Sequence, residues 1–201
     1  MALPPEKGPL TAEDFAAAAQ LLGVDVRAIE AVAGVESHGV GFLPSGEPKI
    51  LFERHLFHRF TGGEFPNAIV QGAQAQHAQL SSRTPGGYGS LNLQHKKLEA
   101  AAKLNRTAAL RACSWGLFQI LGDNWKACGC ASLQDFVNRA YLSTAAHLGL
   151  FVGFIRSNPK LHVALRVQDW QTFEQQYNGP AAGGKYAALI GAVYERLGGN
   201  A

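Results

Sequence analysis

The chain has 201 residues, 47% of them hydrophobic and 16% charged, which is enough apolar matter to bury a core and excludes a disordered chain. Its formal net charge of +3 favours contact with an anionic polymer but falls far short of a nucleic-acid binder, and no apolar run reaches the ~18–20 residues of a membrane span. Three cysteines, Cys113, Cys128 and Cys130, are an odd count that excludes a full disulfide framework and points to thiols in a reducing compartment.

The opening MALPPEKGPL has two prolines and no apolar core of a secretory signal, so residues 1–10 read as a flexible lead. Thr11 is placed to cap a helix over AEDFAAAAQLL that stops at Gly23, and Asp25 to cap a second, VRAIEAVAGVES, that stops near Gly39. Val40–Leu43 and Pro48–Phe52 are short apolar runs around Pro44-Ser45-Gly46-Glu47, which predicts a small β-hairpin. Residues 53–60 read as a short helix closed by Gly62 and Gly63, and residues 61–90, rich in Gln, Ala, Gly and Ser, as a long loop or loosely helical excursion ending in Gly86-Gly87-Tyr88-Gly89. Helices are then predicted over about 91–104, 106–112, 116–127, 132–141, 144–157, 161–167, 170–177 and 185–197, with Ser132, Ser143 and Asp169 as caps. No repeat and no linker interrupts this order, so the expectation is one mainly α domain over 1–201 with a small hairpin near residues 40–53.

The most informative anomaly lies in the second helix. Ile29, Val32, Ala33 and Glu36 fall at i, i+3, i+4 and i+7, on one helical face. Three are apolar, and the fourth is a carboxylate at the helix C-terminus. Burial and the negative end of the helix dipole both favour its protonated form, the state a general acid requires. The bland alternative is a carboxylate at the stripe's edge that reaches solvent or pairs with an arginine.

The stretch VESHGVGFLPSGEPKILFERHLF, followed by Ser114-Trp115-Gly116-Leu117-Phe118-Gln119-Ile120 and Gln176-Tyr177-Asn178-Gly179-Pro180, resembles three motifs of the phage-endolysin N-acetylmuramidase family. That family lies in the lysozyme-like superfamily, with lytic transglycosylases and goose-type lysozymes as relatives. The resemblance covers roughly residues 10–197. The gap of 80 residues from Glu36 to Gly116 is longer than in typical lytic transglycosylases and fits the endolysin muramidases.

The resemblance implies a lysozyme-like helical domain, and a peptidoglycan hydrolase that cleaves the β-1,4 bond between N-acetylmuramic acid and N-acetylglucosamine. Glu36 would then be the general acid. Glu53, at the end of the second predicted strand, is the candidate second carboxylate; an ion pair with Arg54 or another basic residue that pins the hairpin is the alternative. Gln119 and Ser114 are candidates for holding substrate, against an exposed helix residue as the alternative for Gln119. Tyr177 and Asn178 match a motif placed close to the acid, although Asn178-Gly179 is also ordinary helix-stop chemistry. Glu47 reads as solvated, Trp115, Trp125 and Trp170 as core, and Cys113 as a buried small hydrophobe.

The implied enzyme needs no cofactor and no metal. It acts as a monomer on peptidoglycan glycan strands, has no nucleic-acid partner and no stable membrane insertion, and carries no separate cell-wall-binding domain. It is made in the host cytoplasm without a signal peptide and reaches the wall through holin-dependent release. Three rivals stand beside this reading. His38, His55 and His58 near the two glutamates allow a zinc-dependent amidase or peptidase. A non-catalytic glycan-binding virion protein would keep the cleft without the chemistry. A lytic transglycosylase would leave 1,6-anhydro ends.

Overall fold

A computed structural model describes residues 3–36, 41–179 and 183–198. The first helix, α1 (Ala12–Leu22), starts in a capping box: the Thr11 side chain accepts from the Asp14 amide, and Asp14 accepts from the Thr11 amide. It stops at Gly23, which takes the left-handed conformation at φ 62°. Asp25 then caps α2 (Val26–Glu36) by accepting the Arg27 amide at 2.9 Å. Ala28, Ile29, Ala31, Val32, Ala33 and Val35 are all buried, because α1 and α10 (Lys185–Arg196) close on α2 from two sides. A helix buried on most of its circumference leaves few places for a charge, and Glu36 occupies one at its end.

The expected hairpin forms at its turn end only, where the Lys49 amide donates to the Gly41 carbonyl and the Leu43 amide to the Glu47 carbonyl, each at 2.8 Å. Phe42 and Pro48 form one isolated bridge, closed by the Leu43–Glu47 turn, and Val40 lies outside the described residues. Strand β1 (Ile50–Phe52) does not pair back onto residues 40–43. It pairs antiparallel with β2 (Cys113–Trp115), more than sixty positions away, and β2 pairs with β3 (Ile120–Leu121) in a sheet of order β1-β2-β3. The register sets Ile50 opposite Trp115 and Phe52 opposite Cys113, so these four apolar side chains enter the core. Leu51 and Ser114 alternate away from it.

A second correction follows. Residues 116–127 are not a helix but the β2–β3 turn, strand β3 and a 3₁₀ turn at Gly122–Trp125. Gly116 at φ 69° and Gln119 at φ 47° turn the chain where a helix would need negative φ. Gly122 also has no room for a side chain, since a Cβ would sit 2.2 Å from the Leu110 carbonyl oxygen.

The remaining helices follow their caps. Between α3 (Arg54–Phe60) and α5 (Leu91–Arg111), the chain folds back on itself through a bridge of Ile69 with Gln79 around the short α4 (Ala75–Ala78). Helix α5 breaks at Asn105, whose side chain caps the following turn through the Ala108 amide at 3.0 Å, at the position where the two predicted helices meet. Ser132 caps α6 (Leu133–Leu142), Ser143 caps α7 (Thr144–Ser157) and Asp169 caps α9 (Trp170–Tyr177) as expected. Helix α8 (Pro159–Arg166) begins two residues earlier than expected, with Asn158 as cap and Pro159 in the first turn. Residues 3–10 are not a free lead: Lys7 donates to the Gly46 carbonyl at 2.7 Å, and Leu10 packs on the core. All three cysteines are free and buried, and burial pushes the Cys128 thiol up to about 12, far from a nucleophile's range. Trp115 is buried, and Trp125 and Trp170 are packed against the core.

Candidate active site

Glu36 ends α2 with its carboxyl half-buried. The Asn178 side-chain amide, one residue past the end of α9, donates to Oε1 at 3.1 Å and to Oε2 at 3.2 Å. Burial pushes the Glu36 pKa up, Asn178 pulls against that, and the nearby Glu174 carboxylate pushes it up further. Two of the residues singled out from sequence are thus in direct contact. Ser37 and His38 lie outside the described residues.

Tyr177 is the link to the second motif. Its hydroxyl donates to the Phe118 carbonyl at 2.8 Å. Its ring stacks on Phe173 at 5.4 Å and meets Phe151 and Phe154 edge-on at 5.9 Å. The phenol therefore braces the Gly116–Gln119 turn against α9, one residue from the group that holds Glu36. Gln119 projects from that turn, exposed, with its amide donating to the Gly116 carbonyl at 2.8 Å. Ser114 sits at the centre of the sheet, on the face turned from the core.

Glu53 belongs to a separate polar cluster. It follows β1 directly, and its amide donates to the Ala112 carbonyl at 2.9 Å, which fixes it at the end of the β1–β2 pairing. Its Oε2 lies 3.3 Å from His55 Nδ1. Burial pushes Glu53 up while Tyr88 and His55 pull it down. Of the expected alternative, an ion pair with Arg54 or another basic residue, the Arg54 pair does not form, since Arg54 donates to Gln79 and Pro85, while His55 is the basic neighbour of the carboxylate. His38 of the zinc reading lies outside the described residues, and among the described residues no group of three potential metal ligands forms. His58 pairs with Ser81 at 2.9 Å, and His55 with Glu53.

Two site-building residues had no signal in the sequence. His147 is buried, with Nε2 on the Ala140 carbonyl at 2.7 Å and Nδ1 accepting the Leu117 amide at 3.1 Å. The ring is therefore neutral, protonated at Nε2, and burial holds its pKa down to about 4. A Cβ on Gly116 would lie 2.7 Å from this ring, so the glycine of the motif is required both by its φ and by His147. Glu174 is 2% exposed, and its carboxylate accepts the Gly184 amide at 2.8 Å and the Ala187 amide at 2.6 Å. It caps α10 across the loop that follows Asn178, and its own carbonyl accepts the Asn178 amide at 2.8 Å. A Ser, Thr or Asp just before a helix is legible as a cap; a glutamate from the preceding helix is not.

Comparison with known proteins shows the family and the fold. The family model for N-acetylmuramidase matches residues 25–198. Among solved structures, the crystal structure of the Burkholderia AP3 phage endolysin is 35% identical, covers 97% of this chain and 72% of that one, and superposes with a TM-score of 0.85. No curated protein matches the chain. The chain belongs to the N-acetylmuramidase family, and with it to the glycosidase-type hydrolases of peptidoglycan; its fold is the mainly α, lysozyme-like one.

Proposed function

We propose that this protein is an endolysin that cleaves the β-1,4 bond between N-acetylmuramic acid and N-acetylglucosamine, with Glu36 as the general acid. The observation that carries the reading is the state of Glu36. It is a carboxyl at the end of a buried helix, raised by burial and by Glu174, with both oxygens turned to one neutral amide rather than to a cation. Such a carboxyl keeps its proton closer to neutral pH than a free glutamate, and a leaving sugar oxygen needs that proton.

Departure of the leaving group builds positive charge at the anomeric carbon. Glu53 supplies the second carboxylate, either as electrostatic partner and nucleophile or as the base that activates water. Asn178 orients Glu36, and Tyr177 holds the turn that carries Gln119. The exposed amide of Gln119 and the hydroxyl of Ser114 serve as hydrogen-bonding groups for the N-acetyl substituents of the glycan. The enzyme works as a monomer on glycan strands and depends on a holin to reach them; among the described residues no helix is long and apolar enough to cross a membrane.

Mass spectrometry of muropeptides released from purified sacculi tests the reading. Reducing N-acetylmuramic acid ends are expected. Reducing N-acetylglucosamine ends would move the cut to the other glycosidic bond. Anhydro ends would make the enzyme a lytic transglycosylase, free peptides an amidase or peptidase, and no product a glycan-binding protein.

A further inference from the structure

We propose that Gln94 is a positioning residue for Glu53, acting through the backbone of Phe52. The proposal rests on Glu53 being the second carboxylate of the reaction.

The starting point is the open edge of the sheet, which β1 forms. Lys49 accepts the Gly116 amide at 2.7 Å, and Glu53 donates to the Ala112 carbonyl at 2.9 Å, so the backbone groups of positions 49 and 53 face β2. The alternation of an antiparallel pair turns the Phe52 amide the other way, to the edge where no strand follows. Phe52 is fully buried, and a buried amide without an acceptor is costly. The acceptor comes from a side chain: Gln94 Oε1 takes the Phe52 amide at 3.0 Å.

Gln94 is 1% exposed, and its own amide is fully used. Its nitrogen donates to the Tyr88 carbonyl at 2.7 Å and to the Ser90 carbonyl at 3.0 Å. Turning the amide over would set its NH2 against the Phe52 N–H and its oxygen against two carbonyls, so one orientation is fixed. Lys97, three residues later on the same helical face, has no exposed surface. It donates to the Gly87 carbonyl at 2.6 Å and the Tyr88 carbonyl at 2.9 Å. These bonds make its burial tolerable and hold in place a carbonyl that Gln94 also uses.

Glu53 is anchored through its backbone. Its carbonyl accepts the Leu56 and Phe57 amides at 2.9 Å and 3.0 Å at the start of α3, its amide is on Ala112, and Gln94 holds the residue before it. Its carboxyl is held by less. Among the described residues Oε2 is buried without a hydrogen bond, 3.3 Å from His55 Nδ1. Where that carboxyl points is set chiefly by the strand end that carries it, and Gln94 is the side chain that fixes the outer edge of that strand end.

Gln94→Met keeps the length of the side chain and removes the acceptor. On soluble glycan oligomers, well below its melting temperature, it is expected to lower kcat about tenfold with KM little changed, because a misplaced reacting group is felt in the chemical step. Added to Glu53→Gln, it should cause no further loss, since both act through one carboxylate; a general loosening of the fold would slow both backgrounds alike. If Gln94→Met does not fold, Gln94→Ser, which leaves room for water beside the loop carbonyls, takes its place in both comparisons. Wild-type kcat in the folded Gln94 variant, or a further tenfold loss on top of a Glu53→Gln enzyme that has already lost turnover, overturns the proposal and spares the role of Glu53. Wild-type turnover in Glu53→Gln overturns both.

Discussion

The two glutamates sit in halves of the molecule built by different means. Glu36 is held by helices alone: α2 carries it, Asn178 at the end of α9 binds it, and Glu174 caps α10 behind it. Glu53 is held at the end of the sheet, where Gln94 of α5 accepts the amide of the residue before it. Burial pushes both carboxyls up, but their neighbours act in opposite senses. Glu36 has a second carboxylate nearby, which favours its proton, whereas Glu53 has a phenol and an imidazole, which favour its charge. In the function proposed above, these two environments correspond to two roles for one residue type, proton donor and charged partner.

The sharpest way to break this comparison is Glu36→Gln, which keeps size and hydrogen bonding but removes the transferable proton. Lysis of permeabilised cells is expected to fall by about 10²–10⁴-fold. The variant should still fold and still co-sediment with purified sacculi, and a folded Glu36→Gln protein with near wild-type lysis would end the assignment. Glu53→Gln should also depress turnover strongly, by about 10²-fold, with the melting temperature little changed. Were Glu53 only an anchor of the strand end, the melting temperature would drop instead and activity would track the folded fraction.

A smaller effect sharpens the contrast. Glu174→Gln removes the charge that pushes Glu36 up, so the alkaline limb of the rate profile should move to lower pH. Glu174→Asp keeps the charge, and its limb should stay in place even if α10 loses part of its cap. Equal limbs in all three proteins would show that Glu174 only caps α10. The smallest effect concerns the turn between the two halves. His147 is protonated less readily in the folded state, at about 4 against 6.5, so the unfolded chain takes up the proton first as pH falls. Its contribution is complete above pH 6.5 and is lost between there and about pH 4, on the order of 3 kcal/mol in all. Chemical denaturation across that window should show a fall that His147→Gln abolishes.

Local chemistry made much of this protein legible without a structure. The caps Thr11, Ser132, Ser143 and Asp169, the break at Asn105 and the carboxylate on the apolar face of α2 are all written within a few residues of where they act. Capping and helical periodicity are short-range effects. The SWGLFQI segment misled for the complementary reason: a run of buried apolar residues suits a helix or a strand equally, and what makes Cys113–Trp115 a strand is Ile50–Phe52, far away in sequence. The pair Lys96-Lys97 shows the limit most plainly. The two are identical neighbours, yet one is exposed and the other wholly buried. Only the packing of α5 under the Gly87–Tyr88 loop decides which of them faces the carbonyls that make its burial tolerable. Short-range chemistry in the sequence set most of the helices, several of their caps and the carboxylate at the end of α2. The tertiary structure decided the sheet and the partners of each glutamate, because those rest on contacts between residues that only folding brings together.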